Sequence, residues 1–300
     1  MTIKRSIHAL ELGGTLFVPA SHKSLLSVLS GEKYPDLRSV VIDFEDALAD
    51  TDRQQALDKL PTLLENLKET KLLRFIRPQN LEMLKVFVQQ KNIHKIDGFI
   101  LPKFCLDNAE EYLSLFPLPI SHSPFTWHIM PSIEGKELFD VQQLQKLRKI
   151  LLPHQDNIIC IRFGAQDMLR QLGLRQQGSL YDMLVPPQVI TNLISTFKPH
   201  GFEISAPVYP DFSDIEGFKK EITYELQNGL ISKTIIHPEQ IQPINELYKV
   251  TKAELKTAQK ILEKEDGILN LEGKMGERKT QRHWARLIFK RHTINYENNK

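Results

Sequence analysis

Eight short apolar runs alternate with amphipathic segments along this chain, and that rhythm limits the possible folds more than any other feature. The runs occupy residues 15–20, 39–44, 72–77, 98–103, 126–135, 158–167, 201–206 and 233–237. They are short, rich in β-branched and aromatic residues, and punctuated by glycine or proline, as strands are. Between them, apolar residues recur at helical spacing, as at Ala56, Leu60, Leu63, Leu64 and Leu67. Strands alternating with helices predict a parallel sheet, and eight repeats favour closure into a (β/α)8 TIM barrel. An open doubly wound α/β sheet is the competitor, but no Gly-x-Gly-x-x-Gly follows the first run, which weakens a dinucleotide-binding reading. The expected barrel covers residues 1–250. Residues 251–300 form a C-terminal helical extension, suited to packing on a neighbouring subunit.

A chain of 300 residues, 41% hydrophobic and 25% charged, can build a large core without disulfides or a structural metal. Its two cysteines, Cys105 and Cys160, both sit in apolar surroundings and read as reduced thiols of a cytoplasmic protein. The first residues include Lys4, Arg5 and Glu11 and lack the long apolar core of a signal peptide. No stretch approaches the ~20 apolar residues of a membrane span. The net charge of +2 argues neither for nor against nucleic acid.

In a parallel barrel the active site lies at the C-terminal ends of the strands. Charged residues collect at those ends here: Asp43, Glu45 and Asp46 after the second run, Arg77 after the third, Lys103 after the fourth, Glu134 after the fifth and Asp167 after the sixth. Arg74, His128 and Arg162 interrupt otherwise apolar runs. Glu134 and Asp167 lie far apart in the chain, but adjacent strand ends would bring them to one cavity. Two carboxylates crowded together repel unless a cation lies between them, and hard oxygen donors with room for water suit Mg²⁺. The alternative is that each is a separate acid favoured by the positive end of a helix. Arg77 could clamp a substrate carboxylate or form a rim salt bridge to Asp43 or Glu45. The chemistry that fits is enolate formation, in which a carbon–carbon bond beside a carbonyl breaks and negative charge gathers on oxygen.

These residues resemble the citrate lyase β-subunit family of the HpcH/HpaI aldolase superfamily. The resemblance rests on Leu16-Phe17-Val18-Pro19, Ile42-Asp43-Phe44-Glu45-Asp46-Ala47, Arg77, Asp97 to Lys103, Ile133-Glu134, Phe163 to Asp167 and Lys233 to Ile241, in that order along the chain. It implies a TIM barrel, Mg²⁺, lyase or aldol/Claisen chemistry, often on acyl-CoA thioesters, and a homo-oligomer, commonly a trimer. Glu134 and Asp167 then fall on the metal ligands and Arg77 on the substrate-carboxylate arginine. Glu45 and Asp46 fall on acids that support the metal and its waters. His237 lies in a signature turn on the subunit and cofactor side, and Lys103 matches a family position of unassigned role.

The chain departs from the family in three places. Gln166 stands where a glutamate is usual, Ala20-Ser21 replaces a glycine and a polar residue, and Glu277 replaces an aspartate that reaches a neighbouring subunit as a candidate acid/base. Those changes suggest a divergent branch. The reading is therefore a Mg²⁺-dependent carbon–carbon lyase. The alternatives are a barrel binding an acyl-CoA or phosphorylated metabolite without lyase turnover, or a nucleic-acid-binding protein acting through its C-terminal stretch. Residues 278–291 carry six Lys or Arg and no acid. Such a helix face is more often simply solvated, which disfavours nucleic acid as the partner.

Overall fold

The computed structural model describes residues 6–45, 48–116, 127–263, 267–271 and 273–298. The chain divides into two compact units, Met1–Gln242 and Pro243–Lys300, against the boundary at 250 read from the sequence.

In the first unit β1 (Gly14–Pro19), β2 (Ser39–Asp43), β3 (Leu73–Arg77), β4 (Gly98–Leu101), β5 (His128–Ile133), β6 (Arg162–Phe163) and β7 (Lys233–Ile235) form one parallel sheet. Its order is β6-β5-β4-β3-β2-β1-β7. β2 and β5 are buried along their whole length, as expected of parallel strands covered on both faces. Register places Pro19 beside Asp43 and Asp43 beside Arg77, so three strand ends align. Ser132 pairs with Arg162 and Ile133 with Phe163, which puts Glu134 and Gly164 next to each other as both strands end. A Cβ on Gly98 would lie 1.9 Å from the backbone oxygen of His128, so the approach of β4 to β5 requires glycine there.

Among the described residues the sheet has seven strands, not the eight expected. The run at 201–206 contributes isolated parallel bridges alone, Ile161↔Ile204 and Ala206↔Lys233. Hydrogen bonds still tie it on both sides: Ile161 N–H to Glu203 O at 2.8 Å, and Ala206 N–H to Ser232 O at 2.7 Å. Pro207 follows at once and has no N–H to extend a ladder. The sixth run is likewise shortened to two residues, with further bridges at Ile129↔Ile158 and Ile161↔Ile204.

Helices follow the strands. The segment after β5 is a 3-10 turn (Lys136–Phe139) and then an α-helix (Val141–Leu151). Asp140 resets the chain between them, its carboxylate accepting from the N–H groups of Gln142 and Gln143. Leu144, Leu147 and Leu151 bury one face of that helix.

In the second unit, a helix at Lys252–Glu263 and a long helix at Arg278–Asn298 pack through Ala258, Ile261, Ala285 and Ile288. Small residues at the contact let the helices approach. An antiparallel hairpin precedes the long helix, β8 (Ile268–Leu271) with β9 (Lys274–Glu277), and the sequence reading did not anticipate it. Lys279, Arg282, Arg286 and Lys290 point outward from the long helix. No helix among the described residues is long and apolar enough to cross a membrane.

Candidate active site

The C-terminal strand ends of the first unit surround a cavity of about 530 Å³. Asp43, Glu45, Arg77, Glu134 and Asp167 all line it, so five of the charged strand-end residues meet in one place. Asp46 lies outside the described residues. Lys103 and His237 are not among the lining residues.

Glu134 and Asp167 converge on Gly164. A Cβ built there would stand 2.7 Å from Glu134 Cγ and 3.0 Å from Asp167 Oδ2. Gln171 stitches the two segments together, donating to the backbone oxygen of Glu134 at 2.7 Å and of Asp167 at 3.3 Å. Asp167 opens the helix Ala165–Gln171 and is paired with Arg170 at 2.6 Å. Glu134 is 5% exposed, and its Oε2 is buried with no hydrogen-bond partner. Burial pushes its carboxyl above the usual range. The Ser132 hydrogen bond opposes that, the Asp167 charge adds to it, and Arg77 and Lys103 offset part of it.

This arrangement fits a hard divalent cation. A buried carboxylate oxygen lacks a partner, a second carboxylate lies beside it, and the missing side chain of Gly164 leaves the space between them open. Among the described residues no group of three or more His, Cys, Asp or Glu is placed to hold a metal ion, so the protein would supply two carboxylates and leave other positions to water or substrate.

Arg77 is heavily engaged. Its Nε and Nη2 donate to Asp43 at 2.8 and 2.7 Å, its Nη1 lies 2.6 Å from Glu45 Oε2, and its Cζ sits 5.0 Å from the centre of the Phe17 ring. Both rim salt bridges weighed from the sequence are thus present together. Burial works against the Arg77 charge, but the Asp43 hydrogen bonds and the Asp43, Glu45 and Glu134 carboxylates outweigh it and hold the guanidinium above its ordinary value. Glu45, expected to support a metal and its waters, is 2% exposed and spends one oxygen on Arg77, with Lys103 Nζ at 3.6 Å from the other.

His237 caps a short turn, its Nδ1 accepting from the Glu239 N–H, and stacks on Phe212 with ring centres 4.4 Å apart. Glu277 ends the hairpin of the second unit, where its N–H donates to Gln281. Three cavity residues had no assigned role in the sequence reading. Asp43 was noted there as an acid at a strand end, and Arg162 as a break in an apolar run. Ser132 gave no signal beyond lying two positions before Glu134.

A parallel α/β sheet with an acid-lined cavity at its C-terminal edge is the TIM-barrel class of enzyme fold. Residues 6–295 match the family described as C-C bond lyase of the TIM-barrel fold, and the chain belongs to that family. Its relatives include a citrate lyase subunit beta from Haemophilus influenzae, 25% identical over 280 residues and covering 87% of this chain and 90% of that protein. A (3S)-malyl-CoA thioesterase from Cereibacter sphaeroides is 24% identical over 251 residues, covering 81% of this chain and 79% of that one. Among solved structures, CitE from Mycobacterium tuberculosis in complex with magnesium, acetoacetate and coenzyme A superposes with a TM-score of 0.69 at 18% identity. It covers 95% of this chain and 99% of that one.

Proposed function

We propose that this protein is a cytoplasmic, Mg²⁺-dependent carbon–carbon lyase acting on a carboxylate-bearing substrate carried as an acyl-CoA thioester. The observation that carries the reading is the unpartnered, buried Glu134 Oε2 beside Asp167 at the open face of Gly164. Glu134 and Asp167 would hold the ion. When bound, Mg²⁺ supplies a Lewis acid for the carbonyl oxygen on which negative charge develops. The strand ends and the bridged segment at 201–206 frame the cavity in which these groups meet. Arg77, with three of its five N–H donors used on Asp43 and Glu45, keeps two to orient a substrate carboxylate. A hydroxyl proton leaves, the adjacent carbon–carbon bond breaks, and its electron pair moves to the carbonyl oxygen. The enolate then takes a proton at carbon. The partner subunit's Glu277 moves these protons in a homotrimer. The relatives named for citrate lyase and for a malyl-CoA thioesterase support both the lyase class and the thioester substrate.

The test is product analysis with Mg²⁺ and malyl-CoA or citryl-CoA. Cleavage releases a carbonyl acid and acetyl-CoA, whereas thioester hydrolysis releases the intact hydroxy acid and free CoA. Cleavage should fall by about 10²–10³ in Glu134→Gln and Asp167→Asn. Turnover that survives chelation of the metal, or hydrolysis without cleavage, would count against the assignment.

A further inference from the structure

The long helix Arg278–Asn298 carries a one-sided charge that the reaction above does not use. From Arg278 to Tyr296 the sequence holds six Lys or Arg and no acid. The structure gives that composition a direction. Ala285 and Ile288 are buried against Ala258 and Ile261 of the helix Lys252–Glu263, which fixes the inward side. Lys279, Arg282, Arg286 and Lys290 fall on the opposite side, and all four are exposed. Arg282, Arg286 and Lys290 form no salt bridge among the described residues. Arg291 shows the contrast, since its Nη2 reaches the neighbouring helix and pairs with Glu254 at 3.4 Å.

A solvated helix face ordinarily mixes acids and bases one turn apart. Here Arg282 with Arg286, and Arg286 with Lys290, are like-charged pairs at i,i+4, which destabilise a helix. A row kept in spite of that calls for a counter-charge from outside. The kind of partner follows from what the face lacks. The apolar stripe of the helix is spent on its neighbour, so no hydrophobic side remains to sink into a membrane interface. Protein interfaces deplete lysine and centre on apolar anchors, and the outward row offers none. A phosphate backbone asks only for aligned cations. At 1.5 Å rise per residue the row from Lys279 to Lys290 is ~16 Å long, which matches about five phosphates of one strand. Next to His283, Trp284 leaves 40% of its surface exposed on the flank of the row, an indole face on which a base can stack.

We propose that the outward face of this helix, Lys279, Arg282, Arg286 and Lys290 with Trp284 beside them, is a docking surface for single-stranded nucleic acid. The cations hold successive phosphates and the indole takes a base, so binding follows the backbone and not the sequence. The surface draws on no residue of the strand-end cavity, and its test needs no turnover.

Fluorescence anisotropy of a labelled oligouridylate titrated with the full chain reads the binding. The affinity should fall about 50-fold between 50 and 200 mM salt, as four neutralised phosphates require. Changing three cations together, Arg282→Gln, Arg286→Gln and Lys290→Gln, should weaken binding about tenfold or more at 50 mM salt and reduce the salt slope by about 2. That variant should melt no lower than the wild type, because it relieves like-charge pairs. Trp284→Ala should cost about fivefold or more, and Trp284→Phe should recover most of the loss. A face that is merely solvated gives no saturable binding at low salt, or binding that the triple variant leaves unchanged, and either result overturns the proposal. Phosphatidylserine vesicles, polyglutamate or a duplex of the same length bound as tightly as the single strand would overturn it too, since the face would then answer to a different partner or to charge of any kind.

Discussion

Glu134 holds its charge at a cost to the fold. Burial disfavours its ionised form, and the Asp167 carboxylate beside it adds to the effect. An acid whose folded pKa lies above its unfolded value binds more protons in the folded state, so its contribution to stability falls as pH rises through that interval. At neutral pH and without a divalent ion, Glu134→Gln should therefore melt higher than the wild type, by about 2 °C or more. With Mg²⁺ the order should reverse. An ion bound only by the folded state adds about 2.7 kcal/mol at one hundred times its dissociation constant, a gain the variant forgoes. Differential scanning calorimetry with and without chelator reads both effects, and a wild-type melting temperature indifferent to Mg²⁺ would remove the basis for the metal site. The sequence pointed to Glu134 and Asp167 because strand ends in a parallel sheet share an edge. It could not reveal that Arg77 is claimed by Asp43 and Glu45 at once, because an arginine beside several acids has many partners until coordinates choose among them.

β5 and β6 with the turns that follow them make the carboxylate pair possible. Their register sets Glu134 against Gly164, and the helix that begins at Ala165 delivers Asp167 from its first turn. Gly164 has an ordinary negative φ, so alanine is tolerated by its backbone and only space forbids it. Gly164→Ala should displace both carboxylates, weaken Mg²⁺ binding roughly 10–100-fold and cost about 1–3 kcal/mol of stability. Mg²⁺ titration beside a denaturant melt separates the two, and unchanged affinity in the alanine variant would show that the carboxylates do not need this opening. Elements with a strong apolar signature, such as β2 and β5, were legible in the sequence. The run at 201–206 was weaker, interrupted by Glu203 and Ser205, and it pairs only through bridges. The hairpin of β8 and β9 was not legible, because Gly273 with its φ of +86° turns a segment too polar to read as paired strands.

One residue before Thr234 of the cavity lining, a buried ionic cluster joins β7 to other parts of the first unit. Lys233, wholly buried, donates to Glu221 at 2.9 Å, to Glu225 at 2.6 Å and to the backbone oxygen of Pro207 at 2.9 Å. Ser179 donates to Glu221, and the Tyr181 hydroxyl donates to Glu225. The helix Ile215–Gln227, the loop around residue 180 and the strand that pairs with β1 thus meet at one ammonium group. The sequence placed Lys233 at the opening of an apolar run and of a family segment but did not show its burial, since nothing local tells a buried lysine from an exposed one. One cation cannot balance two carboxylates. Burial pushes Glu225 up to about 8, with Lys233 opposing and Glu221 adding to the shift. For Lys233 burial lowers the value, but both carboxylates raise it further, so it stays charged across the same range. Glu225 therefore carries a proton in the folded state that the unfolded chain releases near 4.5. Its contribution is intact below that value and is lost as pH rises toward 8. The expected outcome is a melting temperature that declines between pH 5.5 and 8.5, with Glu225→Gln flattening the slope and melting above the wild type at the alkaline end. Lys233→Met, which leaves the carboxylates buried without their cation, should cost about 3–5 kcal/mol at pH 8 and less at pH 5.5. Parallel slopes for the wild type and Glu225→Gln would show that the cluster does not hold this proton.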